Sequence, residues 1–428
     1  MEVNQTWHLE FKPSWINGTK MNLLNRCRGC LIGLACGDAV GTTVEFMRRG
    51  TFPLVTDMVG GGPFKLDRGQ WTDDTSMALC IAASLTELGQ FNAADLMNRF
   101  CRWMDYGYLS SNGRCFDIGN TVREALTRFK LTGEAYSGSG NPDSAGNGSL
   151  MRLAPIPMFF HRDRAAVIEY AALSSCLTHG TVECIDATRL FAAMLHQALQ
   201  GADKETILQG HGLSDIDSES IRAIARAEYR AKGEEQICGT GYVVDSIEAA
   251  LWCFDTTCSF EEAILRAANL GDDSDTTAAI CGQLAGAFYG ESGIPNRWRQ
   301  SIAMHAYIKK LADQLYAFGS MPHPTEGDEI DQDDIDQGVL GPDGVPCAVV
   351  FHGGHSRQGG DRNHQVISFE GTTMFQIQGK QEIHQTWQNL SSGNSEGLVI
   401  ADADRIKSQG IYKFVRVIDK NGAMIYQS

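Results

Sequence analysis

Two short stretches concentrate the oxygen chemistry of this chain: Trp71-Thr72-Asp73-Asp74-Thr75-Ser76-Met77-Ala78 and Gly271-Asp272-Asp273-Ser274-Asp275-Thr276-Thr277-Ala278. Each crowds carboxylates and hydroxyls together and then runs into small and apolar residues, Leu79 to Ala83 and Ala279 to Ala285. Such a run starts a helix, because Ser, Thr and Asp oxygens accept from the free N–H groups of a first turn. One such group is enough to cap a helix, and each stretch supplies several. Neighbouring carboxylates repel unless a cation lies among them. The donors are all oxygen, with no His or Cys in either stretch, which favours a hard ion such as Mg2+ or Mn2+ over Zn2+. Two readings stand on spacing alone: two separate capped helices, or two helix starts that face each other across a pair of ions.

The elements that must position these stretches read as helices. Leu24, Cys27, Leu31, Leu34 and Ala35 repeat at helical spacing from Leu23 onward. Gly33, Gly37 and Gly41 lie along the same run, where a backbone or ligand must approach closely. Cys27 and Cys30 form the sole Cys-x-x-Cys and, with no second pair, read as thiols on a helix face. Asp38 and Glu45 follow; an acidic residue after a Gly-rich turn is usually solvated, whereas Glu45 beside Phe46 is expected to be desolvated and able to hold a proton. Helical patterns continue over 91–103, 119–129, 165–177, 186–199, 215–232 and 243–254. A loop over 105–120 is long enough to line a site. Gly146-Asn147-Gly148-Ser149-Leu150-Met151 reads as a Gly-rich turn before a helix, a geometry that can receive a phosphate, and Thr178-His179-Gly180 ends the 165–177 helix.

The chain has 428 residues, 43% of them hydrophobic and 21% charged, enough for two or three globular domains. Its formal net charge of -16 argues against a nucleic-acid partner and would repel an anionic ligand unless bound divalent cations reverse the local field. The start of the chain lacks an apolar stretch of signal-peptide length, and no segment is apolar enough to span a bilayer. Thirteen scattered cysteines fit a reducing cytoplasm. The expected organisation is an N-terminal extension over 1–20 with Trp7 and Trp15, an all-helical body over 21–320, an acidic linker over 321–338 and a small β-rich domain over 339–428. Strand-like runs there include 347–352, 365–369, 373–377, 397–401 and 412–418, and Asn421-Gly422 turns the chain into a final strand.

Taken in order, Gly33 to Phe46, Trp71 to Ala78, Cys115 to Leu126, Gly146 to Pro155, Leu177 to Gly180 and Gly271 to Gly282 resemble the ADP-ribosylglycohydrolase family, over residues 23 to 316. The resemblance implies an all-α orthogonal bundle holding two Mg2+ or Mn2+. It implies Thr72, Asp73, Asp74, Asp273, Asp275 and Thr276 as metal ligands, with Glu45 on a mobile loop over the centre. It also implies Gly146, Asn147, Gly148, Ser149 and Met151 at the diphosphate and distal ribose, His179 at the substrate, Gly119 and Asn120 near the ribose, and Asp117 where a carboxylate could hold a guanidinium. The tryptophan-containing start and the β domain depart from the family pattern.

Glycosidic hydrolysis passes through an oxocarbenium-like state and needs an activated water and a stabilised leaving group. By the same resemblance Asp74 or Asp275 would take the proton of that water, and Glu45 would protonate or position the leaving group. The expected activity is release of ADP-ribose from a modified protein, foremost from arginine. Two alternatives belong to other classes: an immunity-type binder that docks on an ADP-ribosyltransferase or toxin, and a hydrolase of a free derivative such as O-acetyl-ADP-ribose.

Overall fold

In a computed structural model of the chain, the described residues are 15–16, 19–320 and the strand segments 375–380, 388–393, 414–419 and 424–427. Most of the expected extension, the acidic linker and most of the expected β domain lie outside them. The chain divides into two units, Met1–Asp334 and Ile335–Ser428. In the first, a two-residue hairpin, β1 (Trp15–Ile16) with β2 (Thr19–Lys20), precedes the helices. These are α1 (Leu23–Gly41), α2 (Asp73–Leu88), α3 (Ala93–Tyr106), α4 (Asn120–Thr132), α5 (Pro155–Phe159), α6 (Arg164–Cys176) and α7 (Val182–Leu199). They continue with α8 (Lys204–Gln209), α9 (Glu219–Ala225), α10 (Val243–Asp255), α11 (Phe260–Ala268), α12 (Ser274–Tyr289), α13 (Asn296–Ser301) and α14 (His305–Ser320). None of the described helices is long and apolar enough to cross a membrane.

The pair α1 and α12 forms the centre. Gly29, Gly33, Gly37 and Gly41 recur every fourth residue and so share one face of α1. A Cβ placed on them would lie 2.2, 2.3, 2.0 and 2.3 Å from the carbonyl oxygens of Gly286, Gly282, Ala278 and Ser274. The two helices therefore run antiparallel with backbones in contact, and only glycine permits that approach. Arg26 closes one end by donating to the carbonyls of Ala198, Ala287 and Phe288 at 3.3, 3.0 and 2.8 Å, satisfying the last turns of α7 and α12. Because other helices cover the pair, α1 is buried on nearly every face. Cys27 and Cys30 are helix-face thiols fully inside the core, and burial pushes the Cys27 thiol up to about 12.

One expected helix is shorter than its pattern. The 215–232 run starts at Ser218, whose hydroxyl accepts from Ile221 N, and stops at Ala225. Ala227 then takes a left-handed φ of 57°, which breaks the helix before a short 3-10 turn over Glu228–Ala231.

In the second unit the described backbone comprises β3 (Phe375–Lys380), β4 (Gln388–Gly393), β5 (Phe414–Asp419) and β6 (Met424–Gln427), antiparallel in the order β4-β3-β5-β6. Phe375 pairs with Gly393 and Asp419, and Val417 with Tyr426. Three of these strands overlap expected runs, β4 matches none, and the other expected runs lie outside the described residues.

Candidate metal and substrate site

The close α1–α12 approach sets Asp38, near the end of α1, beside the first turn of α12. Ser274 Oγ donates to Gly41 O at 2.8 Å across the same contact. Asp38 is fully buried and acts as the cap of a different helix, α2. Its Oδ1 accepts from Thr72 N and Oγ1 at 2.8 and 3.0 Å, and its Oδ2 from Thr75 N and Oγ1 at 3.0 and 2.6 Å. The expectation of a solvated Asp38 is therefore corrected: burial raises its pKa to about 6 against four donors that lower it. A signal was present, since Asp38 is the one charged residue between Gly29 and Val44.

The reading of two self-capped helices also falls. Thr72 and Asp273 occupy the N-cap positions of α2 and α12, and neither side chain caps its own helix. The two helix starts face each other instead, Thr72 reaching Asp275 and Thr276 reaching Asp74. Carboxylate oxygens of Asp38, Asp74 and Asp275 lie within 4.8 Å of one another, and so do those of Glu45, Asp117 and Asp275. Asp275 belongs to both groups. Thr72 Oγ1 sits among three carboxylates, at 3.0 Å from Asp38 Oδ1, 3.2 Å from Asp74 Oδ2 and 3.1 Å from Asp275 Oδ2. Thr276 Oγ1 reaches Asp74 Oδ2 at 3.4 Å.

Two buried oxygens, Asp74 Oδ1 and Asp275 Oδ1, have no hydrogen-bond partner. Burial, then the neighbouring carboxylates, raises Asp73, Asp74 and Asp275 well above the usual range. The same causes lift Glu45 to about 10, and burial lifts Asp117 to about 7. Crowded carboxylates with orphaned oxygens, all hard donors, at the positive ends of α2 and α12, fit divalent cations of the Mg2+ or Mn2+ type.

Beside this cluster opens a cavity of about 390 Å³. Glu45, Asp73, Asp117, Asp273 and Thr276 form its acidic wall, while Thr72, Asp74 and Asp275 lie behind it in the core. Gly119 and Asn120 line it at the start of α4, where the N-cap glycine supplies no side chain of its own. Gly146, Asn147, Gly148, Met151 and His179 also line it. Asn147 Nδ2 donates to Asp273 Oδ2 at 2.7 Å and to Ser246 Oγ at 2.8 Å, tying the Gly-rich turn to the acidic stretch.

Two expectations are corrected here. The turn does not run directly into a helix; α5 begins only at Pro155 and is five residues long. Ser149 also leaves the cavity, because its fully buried hydroxyl is hydrogen-bonded to Thr188 Oγ1 on α7 at 3.0 Å.

Phe46 and Gly241 also line the cavity, and Gly241 belongs to no motif that the sequence singles out. The segment carrying Glu45 is stitched to the start of the second acidic stretch: Phe46 N donates to Asp272 O at 2.7 Å and Asp272 N to Met47 O at 2.8 Å. Both Phe46 and Asp272 take positive φ, 61° and 54°. Arg49 fastens the same segment to three carbonyls, of Leu270, Glu234 and Ile237. Phe46 is 68% exposed, and with Phe64 and Phe116 it forms an aromatic rim, centroids 6.4 and 5.2 Å apart.

A family model described as ADP-ribosylglycohydrolase matches residues 19–324. The chain is 46% identical to "ADP-ribosylarginine hydrolase Tri1" of Pseudomonas putida over 71% of its own length and 83% of the relative. It is 30% identical to "ADP-ribosyl-[dinitrogen reductase] glycohydrolase" of Rhodospirillum rubrum, over 69% and 97% respectively. A solved structure, "ADP-ribosylglycohydrolase-related protein complex", aligns with a TM-score of 0.61 and 38% identity, covering 70% of this chain and 99% of that one. The match spans every element that carries the carboxylate cluster and its cavity, and the chain belongs to the ADP-ribosylglycohydrolase family.

Proposed function

We propose that this protein hydrolyses the N-glycosidic bond between ADP-ribose and arginine side chains of modified proteins. The observation that carries the reading is one buried carboxylate, Asp275, shared by two acidic groups beside a cavity walled by Glu45 and Asp117. Its support from relatives is the 46% identity to an ADP-ribosylarginine hydrolase. Thr72, Asp73, Asp74, Asp273, Asp275 and Thr276 would hold two Mg2+ or Mn2+, with Asp38 keeping Thr72 in place. Such ions supply positive charge against ribose hydroxyls and diphosphate and lower the pKa of a bound water.

The chain's own groups do the rest. Gly119 and Asn120 orient the ribose, and the segment from Gly146 to Met151 with His179 receives the diphosphate and distal ribose. Ser149 takes part through its backbone, since its hydroxyl is engaged by Thr188. Asp74 or Asp275 accepts the proton of the attacking water as its oxygen bonds to C1 of the ribose. Asp117 holds the departing guanidinium by charge. Glu45, buried at the cavity wall with Thr42 Oγ1 donating to it at 3.3 Å, holds the proton that passes to the departing nitrogen.

Around this catalytic body, over 21–320, we place the extension over 1–20, a linker over 321–338 and a β-rich domain over 339–428, in a cytoplasmic protein. The test is release of free ADP-ribose from an arginine-ADP-ribosylated protein, with O-acetyl-ADP-ribose assayed alongside, in Mg2+, in Mn2+ and in chelator. Metal-dependent release from the modified protein is expected. Release indifferent to chelator, or turnover of the free ester alone, would refute the reading.

A further inference from the structure

Behind His179 lies a polar chain that the reaction chemistry leaves unused. Arg152 is fully buried, and so is Thr178; His179 is 2% exposed. Arg152 Nη2 donates to Thr178 Oγ1 at 2.7 Å and to Ser174 O at 3.2 Å, and its guanidinium lies 4.8 Å from the centre of the Phe100 ring. Thr178 Oγ1 is in turn 2.8 Å from His179 Nδ1. The backbone of His179 is held from both sides, its N–H donating to Ser175 O at 2.7 Å and its carbonyl accepting from Ser175 Oγ at 2.8 Å.

The direction of the proton in this chain follows from what each group is able to do. A guanidinium only donates, so one lone pair of Thr178 Oγ1 is taken. If Nδ1 also carried a proton, Thr178 would accept twice and its own hydroxyl proton would be stranded in the core, at the cost of a buried unmade hydrogen bond. The arrangement that satisfies every group has the Thr178 hydroxyl donating to a bare Nδ1. Burial, and then the positive charge of Arg152, keep the ring neutral, drawing its pKa down to about 3. A neutral ring has one N–H, which then sits on Nε2. That nitrogen faces the glycine wall of the cavity: a Cβ on Gly146 would lie 3.3 Å from it and one on Gly148 3.1 Å from it.

We infer that Arg152 and Thr178 are positioning residues that lock His179 in its Nε2–H tautomer, so that it presents a fixed donor to an acceptor oxygen of the ADP-ribose moiety. The part concerning ADP-ribose rests on the proposed function; the part concerning the tautomer does not.

The experiment reads both, on the full chain. Ring 15N shifts, with the His179 signal assigned by its loss in His179→Gln, report the tautomer of the metal-free and ligand-free protein. Binding of ADP-ribose is titrated separately. Expected are a bare Nδ1 in the wild type and an Nδ1–H population in Thr178→Val. That variant should bind ADP-ribose about tenfold more weakly, the worth of one hydrogen bond to a charged group. Thr178→Ser should restore both readouts. A protonated Nδ1 in the wild type overturns the inference without any variant. An unchanged tautomer in Thr178→Val overturns it too, as does a changed tautomer with unchanged affinity. A wild-type chain that binds no ADP-ribose would refute the proposed function while the shifts still decide the tautomer.

Discussion

Replacing Asp275 by Asn should stabilise the metal-free protein, and by an amount that grows with pH. Asp275 oxygens lie within 4.8 Å of those of Asp38 and Asp74 and, on the other side, of Glu45 and Asp117. At that separation two ionised carboxylates repel by about 3.5 kcal/mol for an effective dielectric of ~20. Four such pairs would approach ~14 kcal/mol, as much as a whole domain's stability of roughly 5–15 kcal/mol. The metal-free chain avoids this by holding protons, and burial with Glu45 and Asp117 raises Asp275 well above its ordinary 3.8.

The sign follows. The folded state keeps a proton that the unfolded chain releases, so stability is full below the unfolded pKa and falls as pH rises from there toward the folded pKa. Each such group costs about 1.4 kcal/mol for every pH unit over which the folded state keeps a proton that the unfolded chain has released. Asn has nearly the same shape and no proton to hold, so Asp275→Asn should gain steadily on the wild type as pH rises from 5.5 to 7.5 in chelator. With saturating Mg2+ or Mn2+ the order should reverse, because only the wild type keeps its ligand set. Urea unfolding at the two pH values, with and without metal, measures both effects. A difference between the proteins that is constant with pH, or that shrinks as pH rises, would refute the argument.

Two glycine substitutions probe the scaffold and the site separately. Gly37→Ala places a Cβ 2.0 Å from the carbonyl oxygen of Ala278; backbone cannot step aside, so the α1–α12 pair must part, at a cost of about 3 kcal/mol or more in thermal unfolding and with loss of metal uptake. Gly148→Ala places a Cβ 2.7 Å from His179 Cε1; the ring must turn, and calorimetry should show ADP-ribose affinity reduced about tenfold with stability changed by less than ~1 kcal/mol.

The chemistry of this protein was legible in two local patterns. Clustered oxygens at Thr72 to Asp74 and Asp273 to Thr276 specify hard-ion ligands at helix starts. Gly33, Gly37 and Gly41, four residues apart, announce a close approach, and Glu45 beside Phe46 announces a desolvated acid. All of these are properties of neighbours along the chain: composition, spacing and helical period. The sequence by itself therefore determined which groups are available and that helices carry them.

What it left open depends on distances between segments far apart in sequence. Asp38 read as solvated because its four donors belong to Thr72 and Thr75 of another helix. Ser149 read as a cavity residue because the turn that aims it at Thr188 is set by α7. The proton on His179 is decided by Arg152 and Thr178, two residues without a motif of their own. Only the tertiary structure decides whether two acidic helix starts are separate caps or one cluster. The physical reason is the glycine face of α1, which lets α12 come into backbone contact and brings Asp38, Asp74 and Asp275 within reach of a common ion.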